Sequence, residues 1–134
     1  MSVILRNDYG AIAVNRNVIE KMLIEDMLSM SGDILLCNKK GKLIKKKPTP
    51  FIDPDYFDAI DIIDKKGHVK VVIYMILAEG RVITSLADHI FEMIENDFSL
   101  LRLDKPDSIS LRVRGIKDGN EVIKRSVEVV RNNG

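Results

Sequence analysis

Apolar and polar positions alternate with two different periods along this chain, and the switches between them mark out its elements. Residues 9–14 (YGAIAV) read as a short strand after a turn at Asp8 and Gly10. A helix is predicted over residues 16–29. In it Val18, Ile19, Met22, Leu23 and Met27 recur at helical spacing. Asn17 and Glu20 have capping-box spacing, with Asn15 as the alternative cap. Gly32 stands where a left-handed C-terminal cap would stop the helix.

Residues 34–37 read as a strand, and residues 38–42 as a turn leading to a second one. Pro48, Pro50 and Pro54 exclude an interior helix or central strand from residues 45–54. Residues 38–54 are therefore expected to form an exposed loop rich in lysine and proline. A short strand over residues 59–63 and a tight turn over residues 64–67 follow. Residues 69–78 give the strongest strand signal. They are almost wholly apolar and rich in β-branched side chains, as a strand buried on both faces should be.

A second helix is expected over residues 82–97. Its apolar stripe is Val82, Leu86, Ile90, Met93 and Ile94, with Ala87 beside it. Ile109, Leu111 and Val113 alternate with Ser110, Arg112 and Arg114, a strand with one wet face. Residues 115–119 turn the chain. Asp118 and Glu121 could cap a last helix to about Arg131, with Ile123, Val127 and Val130 on one face. Residues 118–134 thus read as a C-terminal helical extension of a single domain. The fold class is α+β, in the order β-α-β-β-β-β-α-β-α. It has a mixed or antiparallel sheet and two main helices on one face, plus the C-terminal helix.

Composition narrows the core. Hydrophobic residues make up 46% of 134 residues, aromatics only 5%, and there is no Trp, so the core is expected to be aliphatic. Charged residues are 31%, with a formal net charge of +1. That balance argues against capture of nucleic acid or an anionic membrane by the protein's overall field. The longest apolar run, residues 71–78, is short of the roughly 20 residues a membrane helix needs, so no direct membrane insertion is expected. The N-terminal apolar run is too short for a signal peptide. The lone Cys37 has no internal disulfide partner. A reducing cytoplasm is the expected compartment.

Candidate chemistry is sparse. Asp88, His89 and Glu92 could share a metal on the second helix, but structural zinc needs four ligands and catalytic zinc three plus water. His68 sits at a turn, and no second cluster completes a site. A solvated helix flank is the simpler account. Cys37 follows three apolar residues, where a buried thiol behaves as a small hydrophobe. A nucleophilic role would need an electropositive, partly exposed setting and a base. Met22, Met27 and Met30 could form an adaptable partner surface, but at this spacing they read as core. No Walker, GxGxxG, GxSxG, HExxH or CxxC pattern occurs. No catalytic residue, metal or cofactor is assigned, and the chain is expected not to be an enzyme.

The local charge anomaly is Lys39, Lys40, Lys42, Lys45, Lys46 and Lys47, six positive charges within nine residues. This is the candidate polyanion-binding segment, with a salt-sensitive, sequence-independent mode. Asp53, Asp55, Asp58, Asp61 and Asp64 follow closely. If the two stretches lie side by side their charges offset each other, which is the favoured reading. The segment also lacks interleaved aromatics to stack bases.

The string Gly10-Ala-Ile-Ala-Val-Asn-Arg-Asn-Val-Ile19 resembles the opening of the alkaline shock protein (Gls-type general stress) family. Gly32 matches that family's glycine after the first helix. Residues 69–78, Gly80, Ile83, Ala87, Ile90 and Ile94 resemble its apolar strand, glycine turn and second helix. Residues 111–116 resemble its closing strand. The resemblance covers residues 10–32 and 67–116. Asp33, residues 38–54 and the segment from Glu121 depart from the family pattern. The resemblance implies a non-enzymatic cytoplasmic protein of Gram-positive-type bacteria, tied to stress or cell-envelope homeostasis. It implies protein partners, self-association or a membrane-anchored partner, and no cofactor. Nucleic-acid binding through the lysines is the alternative.

Overall fold

In the computed structural model, residues 2–7, 10–45 and 53–133 are described. Strands β1 (Ser2–Asn7) and β2 (Gly10–Asn15) form an antiparallel hairpin of their own. The sequence reading had only the second of these, and its Tyr9 lies outside the described residues. Helix α1 (Arg16–Leu28) starts at Asn15, whose side chain accepts a hydrogen bond from Asn17 N at 2.8 Å. The alternative cap is thus the one used. The helix ends at Ser29 in a right-handed conformation, and Gly32 is not left-handed. Its backbone freedom is not what stops α1.

The remaining elements are β3 (Ile34–Leu36), a 3-10 helix (Pro54–Ala59), β4 (Ile60–Lys65), β5 (His68–Ala78), α2 (Ile83–Leu100), β6 (Ser108–Asp118) and β7 (Glu121–Asn132). Together they make an α+β fold with a mixed sheet, as the pattern of elements implied. β3 and β4 lie end to end on one edge of β5, antiparallel to its residues 75–77 and 68–73 respectively. β5 pairs parallel with β6 across the α2 crossover, and β6 pairs antiparallel with β7. β7 closes the far edge.

The last element corrects the sequence reading: residues 121–132 are a strand, not a C-terminal helix. Gly119 and Asn120 form a two-residue hairpin loop, with Gly119 at φ +61°. A positive φ at the first loop position favours glycine and suits the twist of paired strands. Five of the next ten residues are Val or Ile, whose branched Cβ atoms suit a pleated strand better than a helix. The i, i+4, i+7 spacing of Ile123, Val127 and Val130 was coincidental.

The core lies between the sheet and the two helices. β5 contributes Val69, Val71, Ile73, Met75 and Leu77, and β6 contributes Ile109, Leu111 and Val113. α1 buries Ile19, Leu23, Ile24 and Met27, while Val18 faces outward. α2 buries Ile83, Ala87, Ile90, Phe91, Ile94 and Phe98, while Val82 precedes the helix and is exposed. Met22 is half-buried and Met30 is buried, so these methionines serve packing.

One polar pair interrupts this layer. Asp26 of α1 neighbours Asp97 of α2, and the Oδ2 atom of each is buried without a hydrogen-bond partner. Burial first, then the neighbouring Asp97 carboxyl, pushes the Asp26 carboxyl up to about 8.

Candidate functional site

No described helix lies on the other face of the sheet. Alternation along β5 turns Val72, Tyr74 and Ile76 to this open face, where they pack with Cys37, Leu35 and Leu43. Side chains that pair across strands share a face. Ser110, Arg112 and Gly115 of β6 therefore lie beside them, and Val130, Glu128 and Lys124 of β7 lie next in line.

The segment after β3 folds over one end of this face. Asn38 Oδ1 accepts hydrogen bonds from Lys40 N at 2.9 Å and Lys42 N at 3.0 Å, and Gly41 N donates to Asn38 O. Gly41 takes φ +86°, which this tight turn requires. The chain then returns as one bridge, Cys37 to Leu43, rather than a second full strand. Residues 38–45 hold no strand beyond that bridge, and Leu43 and Ile44 are half-buried rather than exposed. Asp53 is buried and caps the 3-10 helix through Asp55 N. Residues 46–52 lie outside the described residues, and with them Lys46 and Lys47.

A polar chain crosses four strands on the open face. Lys39 Nζ lies 3.1 Å from Asp61 Oδ2 of β4. Tyr74 Oη donates to the same Oδ2 at 3.5 Å, and Arg112 Nη1 donates to Tyr74 Oη at 3.3 Å. Arg112 Nε donates to Glu128 Oε2 of β7 at 2.9 Å. The guanidinium carbons of Arg112 and Arg114 lie 5.8 Å and 5.4 Å from the centre of the buried Tyr74 ring. Both are within cation-π range. The hydrogen bond to Asp61 is the main reason that the Lys39 ammonium holds its proton more tightly than usual.

The lysine segment is split by the fold. Lys42 and Lys45 line a hollow with Asp55 and Asp58, where opposite charges compensate. Lys39 and Lys40 line one hollow with Asp58 and Asp61, and also a cavity of about 320 Å³ with Arg114, Lys124 and Ser126. No described carboxylate lines that cavity. The sequence offered Lys39 and Lys40 but not Arg114 or Lys124, because only the sheet brings β6 and β7 to the turn at Gly41. The alternation of Ser110, Arg112 and Arg114 with apolar residues was the available signal for the arginines.

The remaining candidates are scattered. Cys37 is fully buried, and burial pushes its thiol up to about 11 against the opposing pull of Arg114. His89 and Glu92 are exposed on α2, and Asp88 lies 3.5 Å from Arg131. His68 Nδ1 lies 2.6 Å from Asp107 Oδ2, at the start of β5. No group of three or more His, Cys, Asp or Glu side chains that could hold a metal ion occurs among the described residues. No described helix is long and apolar enough to cross a membrane.

No family model matches the chain, and comparisons with curated proteins and with solved structures find no match either.

Proposed function

We propose that this chain is a non-enzymatic interaction protein that works by associating with itself or with protein partners. The observation that carries this reading is the outer edge of β7. Twelve residues form the strand, β6 pairs with one side, and no described strand pairs with the other. An edge of that length templates further pairing unless it is blocked. Val122, Ile123, Val127 and Val130 are 38%, 43%, 46% and 41% exposed along it. The part of the reading that concerns stress, the cell envelope and a cytoplasmic, membrane-anchored assembly rests on the alkaline-shock resemblance of residues 10–32 and 67–116 alone. Light scattering over a concentration series, with affinity capture from a bacterial extract, tests the proposal. A concentration-dependent mass or a recovered specific partner supports it. A strict monomer that captures nothing overturns it.

A second reading, polyanion binding, has one observation in its favour: Lys39, Lys40, Arg114 and Lys124 converge on a single cavity. Such binding weakens steeply with salt. Single-stranded RNA is the probe. Retardation at low salt that is lost on replacing Lys39 and Lys40 with Ala supports this reading, and none at low salt ends it.

A further inference from the structure

The sequence of β7 is nearly self-complementary when reversed. Reading outward from Ser126, residue i on one side meets residue 252 − i on the other. Lys124 then faces Glu128, Ile123 faces Val129, Val122 faces Val130 and Glu121 faces Arg131. Asn120 faces Asn132 just beyond. Only Arg125 with Val127 breaks the match of like polarity or unlike charge.

We propose that β7 is a self-pairing edge, at which two copies of the chain align these strands antiparallel with Ser126 facing Ser126 across a two-fold axis. This rests on the self-association reading and names its partner as a second copy. Closed two-fold symmetry makes one patch serve both partners, as such interfaces require.

The alternation of faces along β7 fits this register on both sides of the irregularity opposite Arg125 and Ser126. Side chains paired across antiparallel strands must point to the same face. Along β7 the odd residues Ile123, Val127 and Val129 pair with the core-facing Ile116, Val113 and Leu111. The even residues Lys124, Glu128 and Val130 pair with the open-face Gly115, Arg112 and Ser110. Pairing about Ser126 puts odd residues opposite odd and even opposite even. The two sheets then continue as one, with both helix layers on the same side.

Neighbouring two-fold registers are worse. Centring the pair on Arg125 sets Val122 against Glu128, and centring it on Val127 sets Ile123 against Arg131 and Lys124 against Val130. Centring it on Glu128 sets Arg125 against Arg131, a like-charge contact. The Ser126 register alone matches charges and covers the exposed valines together. Two of its charged residues are already held in place, Glu128 by Arg112 at 2.9 Å and Arg131 by Glu95 at 3.0 Å. A carboxylate has lone pairs for several donors, so Glu128 can keep Arg112 and also accept Lys124 of the second copy.

Cysteine cross-linking of the full chain reads the register. Paired residues in an antiparallel ladder sit within disulfide reach. Ser126→Cys is expected to form a covalent dimer under mild oxidation. Val122→Cys and Val130→Cys should each fail alone, because each lies ~26 Å from its own copy in this register. A mixture of the two should cross-link. The buried native Cys37 stays out of the reaction. Lys124→Glu, at an exposed position, should raise the dimer dissociation constant about tenfold while circular dichroism stays unchanged. If the native chain self-associates but neither Ser126→Cys nor the mixture cross-links, the register is wrong and the self-association reading survives. If the native chain stays monomeric at every concentration, self-association falls with the register.

Discussion

Arg131 of β7 reaches Glu95 of α2 with a hydrogen bond of 3.0 Å, and its guanidinium carbon lies 5.0 Å from the centre of the Phe91 ring. Asn133 Nδ2 donates to the same Glu95 carboxylate at 2.7 Å. This is how the edge strand is fastened to the helix layer, since most of β7 is exposed. Arg131→Ala should lower stability by about 1–2 kcal/mol, from the lost cation-π contact and the half-stranded carboxylate. Urea denaturation measures it. Arg131→Lys should recover only part, because an ammonium lacks the planar fork.

The Asp26 carboxyl makes stability fall with rising pH. Its pKa in the fold is about 8, against 3.8 ordinarily. Between those values the folded chain binds more protons than the unfolded chain, so each rise in pH through this window favours unfolding. Asp26→Asn should therefore stabilise the protein at pH 8 and above, and change little near pH 4. The gain is expected on the order of 1 kcal/mol. Asp26 is only partly buried, so water screens the full linkage. Thermal melts of both proteins at pH 4.5, 6.5 and 8.5 show whether their difference grows with pH.

Gly115 has no room for a side chain. A Cβ there would stand 2.7 Å from Val122 Cγ1 and 3.0 Å from Ile123 O. Gly115→Ala should cost about 1–3 kcal/mol by overpacking and spread β6 from β7. Adding Val122→Ala removes the nearer clash, so the double variant should be more stable than Gly115→Ala alone. Chemical denaturation of both variants beside the native chain decides it.

Cys37 is fully buried and bridges Leu43 across the turn at Gly41, and its thiol is pushed up to about 11. The thiolate is the reactive form. A thiol reagent at pH 8 should therefore label the native protein far more slowly than the urea-unfolded chain. Equal rates would mean that the turn opens freely.

Most of this fold was legible because burial imposes a period on the residues it touches. The almost wholly apolar run of residues 69–78 announced a strand covered on both faces. The stripe through Ala87, Ile90 and Ile94 announced a helix lying on it. Where no core face dictates a period, the reading failed. Val122, Ile123, Val127 and Val130 fit helical spacing as well as an exposed strand, and only the hairpin at Gly119 with its ladder to β6 decides between them.

The candidate sites divide in the same way. The sequence by itself determined that the lysines cluster, that Cys37 follows an apolar run and that Arg112 and Arg114 alternate with apolar residues, because these depend on neighbours in the chain. Only the tertiary structure decided that Lys39 pairs with Asp61, that Lys40 meets Arg114 and Lys124, that Asp26 meets Asp97, and that β7 is left with an open edge. Those are contacts between segments far apart in sequence. They are set by which strands pair and in what register, and local propensity carries no record of that.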